Sequence, residues 1–215
     1  PGAGGAVASM LAAALLAVVP SPLWGAGVGT PDRPGTLRVG PDAAHATIGG
    51  ALAEARAGDT VIVAPGVYRE RLRVERAVVL LGRGRPVVDA GGRGHVVEAT
   101  ADLVLRGFHL RASGKNPDEE HAGVMVRDAR AVVEDNVVTD VLYGVYLKNA
   151  GGSTIRGNRI RGKDLPPPRR GDGIRLWYSS GSRVVGNRVE RTRDVVVYFS
   201  NDLLVRDNVI TDGRY

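Results

Sequence analysis

Gly123-Val124-Met125-Val126, Gly144-Val145-Tyr146-Leu147, Gly173-Ile174-Arg175-Leu176 and Val195-Val196-Val197-Tyr198 are four versions of one short strand. Each is followed by a shorter strand that closes on an asparagine, at Asn136, Asn158, Asn187 and Asn208. The asparagines are 22, 29 and 21 positions apart. A repeat of about 22 residues holds three strands of three to five residues and three turns, and its parallel neighbours stack about 4.8 Å apart. The fold expected is all-β: a parallel β-helix, right-handed by the general handedness of parallel crossovers. The patterns of a leucine-rich horseshoe or a propeller are absent. The 29-residue interval carries a Pro-rich insertion around 164–170. A weaker rung places Phe108 at the Asn position, 28 residues before Asn136, with its own insertion near 112–121. Asn tolerates left-handed backbone, and its amide can bond the same group one rung away. Asn136, Asn158, Asn187 and Asn208 are therefore expected to form a structural ladder along one turn.

Upstream of the repeats, Thr47 is a candidate N-cap for a short amphipathic helix, with Ile48, Ala51, Leu52 and Ala55 at helical spacing and an end at Gly58. Strands follow at 60–63, 67–74 and 77–81. The helix is placed to cover the apolar edge of the first rung, which a solenoid must cap. Residues 28–46, rich in Pro and Gly, read as a linker ahead of a β-helix at 47–215. From Ala6 to Val19 the chain is almost wholly apolar and stays uncharged to Gly27. About 14 apolar residues are too few for a membrane span but suit a signal-peptide core. Residues 1–27 are thus expected to be a signal peptide truncated at its start. The mature chain is expected to be periplasmic and not membrane-spanning, and to be incomplete at its C-terminus.

Composition agrees with a solenoid: 30 Gly for its many tight turns, and only 5% aromatic residues beside a thin aliphatic core. The net charge of +6 is spread along the chain rather than gathered in a patch, which argues against nucleic-acid binding. There is no Cys, hence no disulfide and no thiolate metal site.

Side chains alternate along each strand. With Val145, Leu147, Ile174 and Leu176 facing in, Met125, Tyr146, Arg175 and Val197 make one outward column. Arg127, Lys148, Trp177 and Phe199 make the next. This apolar, aromatic face is flanked by both insertions, and Tyr146, Arg175, Trp177 and Phe199 are candidate partner-binding residues. The alternative is that the Pro166-Pro167-Pro168 insertion folds over Trp177 and buries it. Asp172 and Asp194 are read as equivalent positions in successive rungs, either a carboxylate pair for cation or acid–base chemistry or, more simply, two turn caps neutralised by Arg175 and Arg193. Of His45, His95, His109 and His121, only His121 lies near the face. With Met125 four residues on, it is a candidate soft-metal pair.

The block Arg169-Arg170-Gly171-Asp172-Gly173-Ile174-Arg175-Leu176-Trp177, with Gly144-Val145-Tyr146-Leu147-Lys148, Gly162-Lys163-Asp164-Leu165-Pro166, Arg193-Asp194-Val195-Val196-Val197-Tyr198 and Asp212-Gly213-Arg214-Tyr215, resembles the NosD family of nitrous oxide reductase maturation proteins. The likeness runs over roughly 38–215. It implies a periplasmic, non-catalytic accessory protein whose partners are an ABC-type membrane subunit, its ATPase, and nitrous oxide reductase. The implied cargo is copper. Cu(I) prefers thioether and thiolate ligands, yet beyond the apolar leader this chain offers Met125 alone. The alternative from another class is a carbohydrate-active β-helix enzyme, a polysaccharide lyase or epimerase. Asp172, Asp194 and Arg175 would imitate such a site, although no acidic cluster spans three rungs. Neighbouring genes, ATPase and permease against carbohydrate genes, separate the two.

Overall fold

The computed structural model describes residues 34–213; the expected signal-peptide segment lies outside them. Alternating β-branched residues between Gly- and Asn-containing corners give short strands, and three strands complete a turn. Ala131–Glu134, Val137–Val141 and Tyr143–Lys148 form one turn, and Thr154–Arg156, Arg159–Gly162 and Ile174–Trp177 form the next. Among the described residues, equivalent strands stack into parallel sheets of eight, six and seven strands. The register follows from alternation, because a slip of one residue would turn every core side chain out to solvent. Leu105, Val133, Ile155 and Val184 thus stack inward as fully buried neighbours. One aliphatic core runs from Val39 to Val189.

The helix Ile48–Glu54 covers the first turn with buried Ile48, Ala51 and Leu52. Thr47 Oγ1 accepts from the Gly50 N–H (3.1 Å), and Glu70 accepts from the Ile48 and Gly49 N–H groups (2.9 and 2.8 Å). The helix stops at Glu54, short of the expected Gly58, because Ala55 turns to extended backbone and is itself buried. The linker expected at 28–46 is corrected over part of its length. Thr36–Val39 pairs in parallel with Thr60–Val63 as the outermost strand of the eight-stranded sheet, and Val39 enters the core. Pro34-Gly35 and Gly40-Pro41 bracket this strand rather than break it.

The asparagine ladder is made of paired amides. Asn136 Nδ2 donates to Asn158 Oδ1 (3.1 Å), Asn158 to Asn187 (3.0 Å) and Asn187 to Asn208 (2.9 Å). Each Oδ1 also accepts the backbone N–H one rung up, including Phe108 N–H onto Asn136 (3.0 Å). The left-handed backbone falls one residue earlier than expected, at Gly107, Asp135, Gly157, Gly186 and Asp207. The preceding residue makes the corner, and Asn is required for its amide. At another corner serines do similar work: Ser153 Oγ accepts from Ala131 N–H and Ser182 Oγ from Ser153 N–H.

Candidate partner-docking face

The six-stranded sheet carries the outward columns. Their pairing is Met125, Tyr146, Arg175, Val196 and Arg127, Lys148, Trp177, Tyr198. The last rung therefore sits one residue from the expected register, with Val196 in place of Val197 and Tyr198 in place of Phe199. The cause is that Asp194, not Val195, matches Gly173: the Gly173 N–H donates to Asp194 O (2.7 Å) and Ile174 pairs with Val195.

The outward column is not open along its length. Met125 and Tyr146 are fully buried, packed with Ala122, Leu142 and Tyr143 in a second apolar cluster outside the sheet, against which Leu165 and Trp177 lie. This corrects the placement of Tyr146 on an exposed binding surface. The physical reason is the 112–121 insertion. Glu120, in left-handed backbone (φ 54°), accepts from Tyr146 Oη (3.2 Å) and sits 3.6 Å from Lys148 Nζ and 3.7 Å from Arg175 Nη1. Burial, with the Glu120 carboxylate beside it, pushes the Tyr146 hydroxyl up to about 12, so it stays a donor.

Arg175 is likewise enclosed. Its guanidinium lies over Tyr143, Tyr146 and Tyr198, 5.0, 5.2 and 5.7 Å from the ring centroids. Its Nε is 2.8 Å from Asp172 Oδ2, and Arg193 Nε donates to Asp172 Oδ1 at 2.8 Å. Asp172 is completely buried between the two guanidiniums. The expected equivalence of Asp172 and Asp194 is not found, since Arg193 stands at the Asp172 position of the next rung. The carboxylate pair on which a lyase-type centre would rest is not assembled.

What remains accessible is an aromatic platform at the end of this face. Trp177 is half-buried, and Tyr178, Tyr198 and Phe199 are exposed. Trp177 meets Tyr198 and Phe199 with centroids 5.3 and 5.2 Å apart, and Tyr178 stacks on Phe199 at 4.8 Å and 12°. The proline insertion leaves the platform open, with residues 166–169 exposed themselves. Tyr178 and Phe199 both have left-handed backbone (φ 47° and 49°), at the corner where the preceding rungs carry Asp128 and Asn149. Asp and Asn adopt that conformation readily, and bulky residues do not. Two aromatic rings are thus held outward on strained backbone, a feature concentrated at functional sites.

His121 and Met125 do not form a ready metal pair. His121 Nδ1 accepts from Asn116 N–H (3.3 Å) and its Nε2 meets Glu119 (2.7 Å), both within its own loop, while Met125 is sealed in the tyrosine cluster. Among the described residues, no group of three or more His, Asp or Glu side chains is arranged to hold a metal. Tyr198 was missed because the expected register of the last rung was one residue off, and Tyr178 because a left-handed corner rather than strand alternation places it. Tyr143 and Glu120 carried no signal, because insertion conformation does not follow from the repeat.

Comparison with known proteins adds a second line. The family model for a right-handed beta helix region matches residues 97–215. A protein of Pseudomonas aeruginosa named "Probable ABC transporter binding protein NosD" is 32% identical over 136 residues, which cover 61% of this chain and 32% of that protein. A protein of the same name from Stutzerimonas stutzeri is 28% identical over 133 residues, 60% of this chain and 30% of its own length. The chain spans about a third of the length of these curated relatives.

Proposed function

Because the chain belongs to the right-handed β-helix family, as a NosD-like protein within it, we propose that it is part of a binding protein that works beside an ABC transporter and supports copper delivery to nitrous oxide reductase during maturation. The relatives' printed name supports the first half of this reading. The second half rests on the sequence resemblance centred on Arg169–Trp177. The periplasm is the expected compartment, from the apolar segment 6–19. Among the described residues no helix is long and apolar enough to cross a membrane.

The observation that carries the proposal is the platform of Trp177, Tyr178, Tyr198 and Phe199. Contiguous exposed aromatics with a half-buried Trp at their centre have the composition of a binding hot spot. Arg175 and Tyr146, first read as contacts, serve beneath it: they are ion-paired and hydrogen-bonded in place and hold the platform's floor rigid. Copper is cargo in this reading. Met125 and His121 are engaged elsewhere, so the role assigned to the aromatic platform in this reading is docking rather than metal binding.

The test is the affinity of the whole protein for the ABC-type membrane subunit and for the reductase, with Trp177→Ala and Phe199→Ala. A desolvated aromatic anchor contributes about 2 kcal/mol or more, so each variant is expected to bind one of the two at least about tenfold more weakly with an unchanged circular dichroism spectrum. Unaltered affinity for both partners in a folded variant would refute the platform's role.

A further inference from the structure

Toward the first turns, on the same outward side of the six-stranded sheet but without the platform aromatics in its lining, lies a half-open cleft of about 700 Å³. Its floor is the outward surface of the strands Leu72–Val74 and Val97–Ala99, and one wall is the 112–121 insertion. Such a volume suits a small molecule. The partnering of its charges is uneven. Each of three carboxylates has a partner at hand: Glu98 lies 3.7 Å from Arg127, Glu120 lies 3.6 Å from Lys148, and Glu119 lies 2.7 Å from the His121 ring. Arg71 and Arg73, both lining the cleft, have no ion pair or hydrogen bond with any described residue. Asp118, on the rim, is the one lining acid not so matched.

Two donors also face each other, with the Glu98 carboxylate close to both. His95 Nδ1 accepts the Ala122 N–H (3.1 Å), so the neutral ring carries its proton on Nε2. That Nε2 lies 3.5 Å from Arg127 Nη2, itself a donor. Burial outweighs the opposing Glu98 carboxylate and, with Arg127 adding to it, holds His95 below its ordinary pKa. Arg127 Nε is buried and makes no hydrogen bond. Arg71 completes the set by lying across Gly94, where any Cβ would collide with its Nη1. Gly94 has φ +55°, so its corner takes Gly both for the backbone and for the guanidinium's path.

We propose that this cleft binds a compact oxyanion, a carboxylate or a phosphate, held by Arg71, Arg73, Arg127 and the Nε2–H of His95. Guanidinium forks match both groups bidentately, and a neutral imidazole N–H adds a directed bond without further charge. The site is distinct from the aromatic platform and stands whether or not that platform docks a partner.

The experiment is calorimetric titration of the 215-residue chain with citrate and, separately, with inorganic phosphate. Saturable binding of either, weakening as salt rises, is expected, and the tighter of the two identifies the class. Arg71→Gln with Arg73→Gln should weaken it at least tenfold. Arg159→Gln with Arg188→Gln, an equal charge loss on the seven-stranded sheet, should leave it unchanged. Gly94→Ala, which both displaces the Arg71 guanidinium and strains the left-handed backbone beside His95, should also weaken it. Absence of saturable binding for both anions would overturn the proposal, as would equal losses in the two double variants, which would reduce the effect to net charge. Thermal midpoints within a few degrees of the parent certify that each variant is folded.

Discussion

Asp172 has no exposed surface, and both of its oxygens face guanidinium nitrogens at 2.8 Å. An ionised carboxylate so far from water persists only when paired and hydrogen-bonded, and removing its charge strands the cations around it. Arg175 suffers most, since its side chain is only 14% exposed and is roofed by tyrosines. Asp172→Asn is therefore expected to destabilise the fold by about 3 kcal/mol, the range for breaking a buried pair, well above the roughly 1 kcal/mol of a simple turn cap. Urea unfolding followed by circular dichroism measures this; a loss below about 1 kcal/mol would show the clamp to be solvated. At this scale the sequence was half legible. The partnership of Asp172 with Arg175 and Arg193 was recognisable, but as part of a pair with Asp194 that the register does not form. Their burial was not, because it depends on Glu120 and Leu165, which arrive from insertions outside the repeat.

Among the elements, the asparagine corner was the most legible because it recurs in register and one side chain performs the same task each time. The error was one of position. Asn was credited with the left-handed backbone that Gly107, Asp135, Gly157, Gly186 and Asp207 adopt. The rung 195–198 slipped because Val195 resembles the start of a strand, while Asp194 occupies the place of Gly173. That single residue decided which aromatics face out together. The corner also yields a graded prediction. Asn158 Oδ1 accepts from two buried donors of Asn136, and its Nδ2 donates to Val133 O (2.9 Å) and Asn187 Oδ1 (3.0 Å). Asn158→Ala leaves several of these groups buried without partners, at about 1–3 kcal/mol each before relaxation, so a total loss of about 3 kcal/mol or more is expected. Asn208, which is partly exposed and whose rung lets water replace the lost bonds, should lose about 1 kcal/mol on the same substitution. Denaturant midpoints of the two variants compare them, and equal losses would show that the ladder carries no burial-dependent stability.

A solenoid's turns touch only their neighbours, so stability is distributed as nearest-neighbour terms rather than shared through one globular core. The two ends of the described chain differ sharply in this respect. At the first turn the helix Ile48–Glu54 seals the core, and its N-terminal N–H groups are held by Glu70. At the last turn Val205 and Ile210 are each 49% exposed, while their counterparts in the middle rungs, Ile155 and Ile160 among them, are buried. In the 215-residue chain by itself, the sheet hydrogen bonds of these strands therefore lie beside water, the condition under which local opening costs least. Hydrogen exchange of the 215-residue chain, read by mass spectrometry, should show slow exchange across 97–160, similarly slow exchange at 60–63 beneath the helix, and rates rising steadily through 183–190 to the fastest strands at 204–211. Leu52→Ala, which opens the seal without touching a strand, should raise exchange at 36–39 and 60–63 by an amount set by the lost burial, and leave 204–211 unaltered. A uniform rate along the sheets, or a response to Leu52→Ala at the far end, would mean that the turns unfold as one unit and that the nearest-neighbour picture fails for this molecule.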